Sequence, residues 1–535
     1  MSIYRYATAA MLAATALTSV TVQQAHAEGS DAEIALLKQQ VRLLEQKLDK
    51  IQQQTSANTA ATANAKAEAK AEAKAEAKAA AKAAVANANA SFPAKAPVAY
   101  SGAVVSMPNN RPTICTADGE NCVGITGRLH WDVGGYDFHP NTSNGPQRLD
   151  SGENVRRARI GIAGKFLSDW NFALVYDFGG TSDGFGGAAS GSLPGGGTSG
   201  VENAYISYTG LKPFGGKMAI EGGIMDLPWT LEEATSSNDI MFMERASSNV
   251  IATSLAAGDF RSTFGSRWWN DAFWVGAYVT GPSTGAIHSA STTAPSSTEQ
   301  YGAVVRAAGQ LVSGNNYSLH IGANAEWLIQ PPRNIATGAQ TVTLSDRPEL
   351  RIDPTTLINT NAIANVSGAQ VYGVEAAATY GPLFFQGEYY WYNVDRDAST
   401  GLAPIGAPSL KFEGGYAQAS YVLTGETHTY NTSTAAYNGI KPRDPFSLQG
   451  GGLGAWEVAG RVSTIDLNDK VGSALGVAGG RQTVYTAGLN WYVNGNLRFM
   501  LDYLHGDVAK QLSPTSTVDA GSTFDAVAMR TQFAF

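Results

Sequence analysis

V-A-M-R-T-Q-F-A-F (527–535) closes the chain, and apolar and polar residues alternate along it. The odd positions, from Val527 to Phe535, are largely apolar, whereas the even positions include Arg530 and Gln532. One apolar face and one polar face suit a strand that lies between lipid and an aqueous lumen. The edge strand of a soluble β-sandwich shows the same alternation, so the remainder of the chain has to decide between the two.

The start of the chain has the pattern of a secretory signal peptide, which we place at residues 1–27. Arg5 supplies the positive charge, residues 7–20 are small and apolar, and A-H-A (25–27) forms a cleavage site. No other stretch approaches the ~20 apolar residues that a membrane helix needs. A secreted chain that is 44% hydrophobic is then either a soluble all-β protein or a barrel whose apolar residues face outward. The alternation recurs along most of the chain, which favours the barrel.

Sixteen strands are predicted from Val123 onward, with turn signals between them. They cover residues 123–138, 154–164, 169–178, 201–209, 216–224, 260–268, 272–280, 300–308, 316–328, 370–380, 383–393, 410–423, 453–464, 480–493, 496–506 and 524–535. The number is even, as in bacterial barrels, and it places both chain ends on the periplasmic side. The predicted fold is therefore all-β, a 16-stranded antiparallel transmembrane barrel over residues 123–535.

The lengths of the connections agree with this count in all but one place. Long connections follow odd-numbered strands, where external loops are expected, at 179–200, 225–259, 281–299 and 329–369. Short ones follow even-numbered strands, for example Gly381-Pro382 and Asn494-Gly495. The segment 424–452 follows strand twelve and should be a short periplasmic turn, yet it is long. The sequence offers no physical account of it.

Residues 28–91 have a different composition and predict a helical periplasmic extension. Apolar residues from Ile34 to Ile51 follow a 3-4-3-4-3 spacing, which is the seam of a coiled coil about three heptads long. One amphipathic helix on a globular surface would show the same spacing, but so short a helix is weak alone, which favours association of several copies. The Ala-rich run that follows, with Lys and Glu every four residues, predicts a semi-rigid spacer.

The two cysteines lie in the linker predicted at residues 92–122. Cys115 and Cys122 flank T-A-D-G-E-N (116–121), and in an oxidising periplasm this spacing predicts a small disulfide loop. A metal site is the alternative, but it would require more ligands, and the seven histidines are scattered. No metal or other cofactor is expected.

Several ordered blocks of the chain resemble the phosphate-selective porin O and P family. They include R-R-A-R-I-G-I-A-G-K-F (156–166), V-E-N-A-Y-I-S-Y-T-G (201–210), S-S-N-D-I-M-F-M-E-R (236–245), G-A-W-E-V-A-G-R-V-S-T-I-D-L-N-D (454–469) and G-L-N-W-Y-V-N-G-N-L-R-F-M-L-D-Y (488–503). The terminal Phe535 also resembles the C-terminal signal of bacterial outer-membrane barrels. The resemblance implies a 16-stranded, trimeric outer-membrane channel whose third external loop folds inward. Members known for phosphate uptake line the pore with arginines.

The charges of this chain do not settle ion selectivity. Residues 92–535 hold 27 Lys and Arg against 37 Asp and Glu. Strand parity assigns these arginines to the lumen: Arg128, Arg157, Arg159, Arg306, Arg461, Arg498 and Arg530. The same parity also assigns these carboxylates to the lumen: Asp132, Asp177, Glu326, Glu375, Glu388, Glu457 and Asp502. The candidate constriction loop contains Asp226, Glu232, Glu233, Asp239, Glu244 and Asp259 against one cation, Arg245.

Three interpretations of these charges remain open. The arginines line an anion pathway, or they pair with nearby carboxylates for structural reasons, or a basic wall faces an acidic loop and orients dipolar solutes. The motifs G-x-S-x-G, H-E-x-x-H and the Walker loop do not occur, which argues against an enzyme. Nothing suggests nucleic-acid binding.

The sequence therefore predicts an outer-membrane porin for small hydrophilic solutes, with phosphate or other anions as the substrate that the resemblance implies. A general or cation-tolerant porin is one alternative. A structural barrel that tethers the outer membrane to peptidoglycan through the coiled coil is another.

Overall fold

The computed structural model describes four helical, exposed residues near the N-terminus and most of the chain from Ala103 onward. The described residues are Gln39, Gln46, Lys47, Lys50, 103–179, 200–258, 261–283, 298–314, 316–397 and 408–535. Two units are distinguished, Met1–Tyr100 and Ser101–Phe535. The signal peptide at 1–27, and the coiled coil and spacer at 28–91 apart from those four positions, lie outside the described residues and stay predictions.

Sixteen antiparallel strands form the second unit. They are β1 Cys122–Pro140, β2 Gly152–Phe166, β3 Trp170–Asp177, β4 Gly200–Leu211, β5 Lys217–Met225, β6 Arg261–Trp269, β7 Phe273–Ser283, β8 Tyr301–Ser313, β9 Tyr317–Gln330, β10 Val366–Tyr380, β11 Leu383–Arg396, β12 Leu410–Val422, β13 Ala455–Asp469, β14 Val477–Tyr492, β15 Leu497–Ala509 and β16 Ser522–Ala534. Each strand pairs with the next, and β16 pairs with β1, with Arg530 opposite Asp132. The barrel is closed, and each of the sixteen predicted strands overlaps one of these.

The two faces of each strand follow the predicted parity. On β16 the outward residues Val527 and Met529 are 53% and 46% exposed, whereas the inward residues Ala528 and Arg530 are 1% and 0% exposed. Every inward carboxylate and arginine predicted from parity lies on the lumen side, because side chains alternate along a strand. The closed sheet satisfies the backbone of every strand, and this leaves an apolar outer belt and a polar interior.

A short hairpin precedes the barrel where the sequence predicted a linker. Ala103–Ser106 and Thr113–Thr116 pair with each other around the 3-10 turn Pro108–Asn110. The second of these strands also pairs with the start of β1, so that Cys115 lies opposite Cys122 and is bonded to it. Val105, Ile114 and Val123 form one cross-strand row. The hairpin therefore extends the wall of the barrel at this end.

We expect Cys115 and Cys122 to be bonded in protein extracted from the outer membrane. Their positions on adjacent, paired strands make the bond local, so it should form irrespective of oligomeric state. Mass spectrometry after alkylation without reductant should find both thiols unmodified. Quantitative alkylation of both would contradict the prediction.

Two ends of the barrel are distinguished by their connections. The terminal end holds the hairpin, Phe535, the short connections 167–169, 381–382 and 493–496, and one long connection, 423–454; the loop end holds the other long connections. Three long connections are named L3 (226–260), L5 (331–365) and T6 (423–454). L3 contains α1 Leu231–Ala234 and α2 Ser247–Ser254. L5 contains the paired segments Thr341–Val342 with Ile363–Ala364 and Ser345–Asp346 with Ile358–Asn359.

T6 contains one paired segment, Tyr430–Asn431 with Ala436–Tyr437. A further 3-10 turn, Pro213–Gly215, connects β4 and β5. Among the described residues, the helices are too short or too polar to cross a membrane.

Candidate functional site

L3 crosses the interior of the barrel and is attached to the wall mainly through its backbone. Asp502 of β15 accepts a hydrogen bond from the N–H of Met243 at 2.8 Å, and Arg461 of β13 donates to the carbonyl of Glu244 at 2.9 Å. Asn490 of β14 donates to the carbonyl of Met241 at 2.9 Å. Such bonds satisfy a buried backbone that has no strand partner.

The first turn of α1 is attached to β11 by a carboxylate. Glu388 accepts hydrogen bonds from the N–H groups of Leu231 and Glu232 at 2.8 and 3.1 Å. Thr230 is the N-cap and accepts from the N–H of Glu233 at 3.0 Å. The free N–H groups of a helix start favour such negative groups. T-L-E-E (230–233) is thus the sequence pattern that docks L3 onto the wall.

Glu244 of L3 is the centre of a buried ion-pair network. Arg156 of β2 binds both of its oxygens, at 2.8 and 3.0 Å, and Arg530 of β16 binds at 2.7 Å. The guanidiniums of Arg157 and Arg351 lie 4.0 and 3.9 Å away. Burial alone would raise the pKa of this loop carboxyl, but the surrounding arginines, Arg156 first, hold its pKa well below the usual range.

T6 enters the same interior from the terminal end. Arg306 of β8 donates to the carbonyls of Thr434 and Ala435 in T6, at 2.8 and 2.7 Å, and to the carbonyl of Pro228 in L3, at 3.1 Å. It also binds Glu375 of β10 at 2.7 Å. The long segment 424–452, unexplained by the sequence, is therefore an inserted loop that one wall arginine connects to L3.

Two further polar contacts fix T6 inside the barrel. His428 lies 2.7 Å from Glu457 of β13, and Tyr437 lies 2.8 Å from the hydroxyl of Ser318 on β9. L5 enters from the loop end, where its Glu349 binds Arg461 at 2.6 Å. The resemblance implied inward folding of L3 alone, and the structure adds L5 and T6.

Apolar side chains of the inserted loops pack against inward residues of the wall and form a core inside the barrel. L3 contributes Leu227, Trp229, Met243, Ile251 and Leu255; L5 contributes Leu344, Leu350, Leu357 and Ile358; the wall contributes Tyr278, Val304, Leu328, Val371, Tyr390, Tyr392, Ile465, Val484, Met500, Leu504 and Phe524. All of these wall residues belong to β7–β16. This side of the interior is filled.

The inward residues of β2–β5 are mostly small or neutral, and many stay partly exposed. They include Gly161, Ala163, Asn171, Val175, Asn203, Tyr205 and Gly223. Lys165 of β2 and Arg267 of β6 are charged residues on the same side, and both are half-buried. The parity argument missed these two, although Lys165 shares its strand and face with Arg157 and Arg159. Small side chains leave space, so the part of the interior that is not filled lies along β2–β6.

The predicted pore arginines all point inward, but most are buried in ion pairs. Arg159 binds Asp177 at 2.7 Å and also contacts Glu202, and Arg306 and Arg461 bind the carboxylates described above. Arg157 is 1% exposed. Their surroundings match the interpretation of structural pairing better than that of a row of free anion-binding groups.

Arg128 and Arg498 differ from the other arginines. In the described part of the chain neither has a carboxylate oxygen within 4 Å. Arg128 donates to the hydroxyls of Ser236 and Ser237, the latter at 2.5 Å, and Arg498 donates to backbone carbonyls of L3 and lies over the ring of Tyr492. Their charges are therefore the least neutralised of the set.

The predicted constriction-loop charges separate into two groups. Glu232, Glu233, Glu244 and Arg245 are buried, and Arg245 pairs with Glu233 at 3.1 Å. Asp226 and Asp239 are half-buried. Asp259 lies outside the described residues. Within the described part of the chain, no group of three or more His, Cys, Asp or Glu side chains is arranged to hold a metal ion.

A model of the family described as "Phosphate-selective porin O and P" matches residues 123–535, the whole barrel. The chain belongs to this family. Family membership and the closed barrel place the protein in the outer membrane and among channel proteins rather than enzymes.

Two curated relatives are similar to the chain. "Porin O" of Pseudomonas aeruginosa is 25% identical over 427 residues, 74% of this chain and 85% of that protein. An uncharacterized protein of Caulobacter vibrioides is 35% identical over 185 residues, so the chain spans only 33% of that relative.

Two solved structures are also similar to the chain. OmpT of Vibrio cholerae has a TM-score of 0.42 at 12% identity, covering 78% of this chain and 98% of that one. An anion-selective porin from Comamonas acidovorans has a TM-score of 0.40 at 14% identity, covering 77% and 99%.

Proposed function

We propose that the protein lets small hydrophilic solutes diffuse passively across the outer membrane, along the β2–β6 side of the barrel. One observation carries the proposal: the inserted loops fill the β7–β16 side, whereas small inward residues such as Gly161, Ala163 and Gly223 remain partly exposed. A narrow, water-filled path of this kind sorts solutes by size and charge.

Single-channel current across a planar lipid bilayer tests the proposal. We expect discrete conductance steps in potassium chloride. A folded barrel that gives no steps would contradict passive diffusion, and would leave the proposed tether to peptidoglycan as the function to test. Trimeric assembly, which the heptads and the family resemblance suggest, also stays a proposal.

The ionic preference that we propose is a weak one for anions, phosphate included. The description of the family as phosphate-selective supports it. The charges along the path limit it, because Arg159 and Arg267 each lie within bonding distance of a carboxylate. A field inside a narrow, low-dielectric space depends on the nearest few charges, so Arg128 is the arginine best placed to attract an anion.

Replacing Arg128 with alanine should shift the reversal potential toward cation preference. Two unit charges 4 Å apart interact with an energy of up to about 4 kcal/mol at an effective dielectric constant of about 20. Loss of the Arg128 charge should therefore change the ratio of chloride to potassium permeability several-fold. Reversal potential across a potassium chloride gradient measures this ratio. Arg481→Ala, on the exposed outer face of β14, is the matched control.

The double variant Arg157→Ala/Arg159→Ala separates the anion pathway from structural pairing. Loss of anion preference and of phosphate block in a stable double variant would restore these two arginines as the anion pathway. Because both are buried among charged partners, we instead expect a destabilised barrel. If the wild-type channel prefers cations, the alternative of a cation-tolerant porin holds.

A further inference from the structure

A polar cavity of about 200 Å³ lies at the terminal end, between the tip of L3 and the last two strands. Its polar lining consists of Asn238, Asp239, Asn494, Asn496, Arg498 and Gln532. Asn494 is exposed, so the cavity opens toward solvent. A water molecule occupies about 30 Å³ in the liquid, and the cavity is thus large enough for a small organic solute.

The cavity has one anionic and one cationic lining residue, and they come from different elements. Asp239 belongs to L3 and Arg498 to β15. In the described part of the chain, they do not form an ion pair within 4 Å of each other. The four remaining polar lining residues are neutral amides. The charge distribution across this space is therefore a dipole.

Both charged side chains are fixed in place. The guanidinium of Arg498 donates to the carbonyls of Asn238 and Met241 at 3.2 and 3.3 Å and lies 4.6 Å from the ring centre of Tyr492. The side chain of Asp239 packs directly against Gly439 of T6. A Cβ atom added to Gly439 would lie only 2.7 Å from the carboxylate oxygen Oδ1 of Asp239. T6 and L3 thus fix the negative side of the cavity, and the wall fixes the positive side.

Two buried polar atoms of the lining residues have no hydrogen-bond partner among the described residues. Arg498 Nε is a donor and Gln532 Oε1 is an acceptor, and their side chains are 2% and 5% exposed. The amide orientation of Gln532 is set by its other contact, because its Nε2 donates to the carbonyl of Asn238 at 2.9 Å. Unpartnered groups of both kinds at one site call for a partner that both donates and accepts.

We propose that this cavity binds small zwitterions, with the carboxylate toward Arg498 and the ammonium group toward Asp239. A simple anion at Arg498 would be repelled by Asp239, and a simple cation at Asp239 would be repelled by Arg498. A solute with both charges is stabilised by both residues. The inference rests on the proposed function, since it names a class of solute that this channel would retain at its terminal end.

Titration calorimetry of the full-length protein in detergent tests the site with L-alanine, propionate and ethylammonium as probes. L-alanine should bind more tightly than propionate or ethylammonium, which each carry one of its charges. Asp239→Asn and Arg498→Gln should each weaken L-alanine binding by about tenfold or more, as expected for losing a hydrogen bond to a charged group. Arg481→Gln, on the outer face, should bind like the wild type.

The same proteins in planar bilayers give a second readout, block of the potassium chloride current by L-alanine. Arg498→Lys keeps the charge but not the planar donor group. L-alanine should block the current of this variant at a concentration between those needed for the wild type and for Arg498→Gln. Equal binding of propionate and L-alanine would overturn the zwitterion site and leave an anion site. Absence of L-alanine binding by folded protein would overturn it outright. A protein that binds L-alanine without conducting would contradict only the channel.

Discussion

Replacing Glu244 with glutamine should destabilise the barrel and release L3 from the wall. The variant keeps the size of the side chain but removes the negative charge that Arg156 and Arg530 bind directly. Glu244 is 4% exposed and Arg156 2%, so the guanidiniums would be left buried without full compensation. Removing one partner of a buried ion pair typically costs about 3–5 kcal/mol. The measurement is denaturant unfolding in detergent, followed by tryptophan fluorescence.

Two comparisons make the Glu244 result specific. Glu153→Gln removes an exposed carboxylate from β2, the strand that also carries Arg156, and should leave the unfolding midpoint unchanged. The double variant Arg156→Ala/Glu244→Gln should cost less than the sum of the two single changes, because the residues are in contact. Single-channel conductance of Glu244→Gln should exceed that of the wild type as L3 detaches. If Glu244→Gln has both the stability and the conductance of the wild type, the ion-pair network does not hold L3 against the wall.

Replacing Arg306 with alanine should release T6 from the interior. This arginine donates to two carbonyls of T6 and one of L3, and it is the principal cation bound to Glu375. After the change, His320 and Asn324, at 3.0 and 3.1 Å, are the partners of Glu375 that remain among the described residues. We expect the free energy of unfolding to fall by about 3–5 kcal/mol, because one partner of a buried ion pair is removed. Tyr430 and Tyr437, now partly or fully buried, should become sites of chymotrypsin cleavage.

Mass spectrometry of timed digests of the folded protein measures this cleavage. Arg306→Lys restores the charge, but its single ammonium nitrogen cannot reach all four groups that the planar guanidinium binds, so its cleavage rate should lie between those of the alanine variant and the wild type. Arg333→Ala is the control, because the side chain of this exposed arginine of L5 donates to the nearby carbonyl of Gly338 and lies outside T6. If T6 resists cleavage in Arg306→Ala, its anchoring depends on other contacts, such as His428 with Glu457.

The sequence was sufficient for the wall of the barrel. Alternation in strands such as β16 depends only on the two-residue period of an extended chain and on the contrast between lipid and a polar interior. It therefore predicted the number of strands, their order and the inward direction of the seven arginines that parity assigned to the lumen. Where predicted ends differ, as at residue 308 for β8, which continues to Ser313, the strand extends beyond its alternating part.

The sequence could not decide what fills the interior. T6 has no strand periodicity, and its position depends on the carbonyls of Thr434 and Ala435, which carry no side-chain signal. Likewise, nothing near Glu244 indicates that Arg156, 88 residues away, and Arg530, 286 residues away, converge on it. Local periodicity determined the wall of this protein. Contacts between residues distant in the chain, which only the closed barrel brings together, decided which charges are buried in pairs and which side of the lumen stays open.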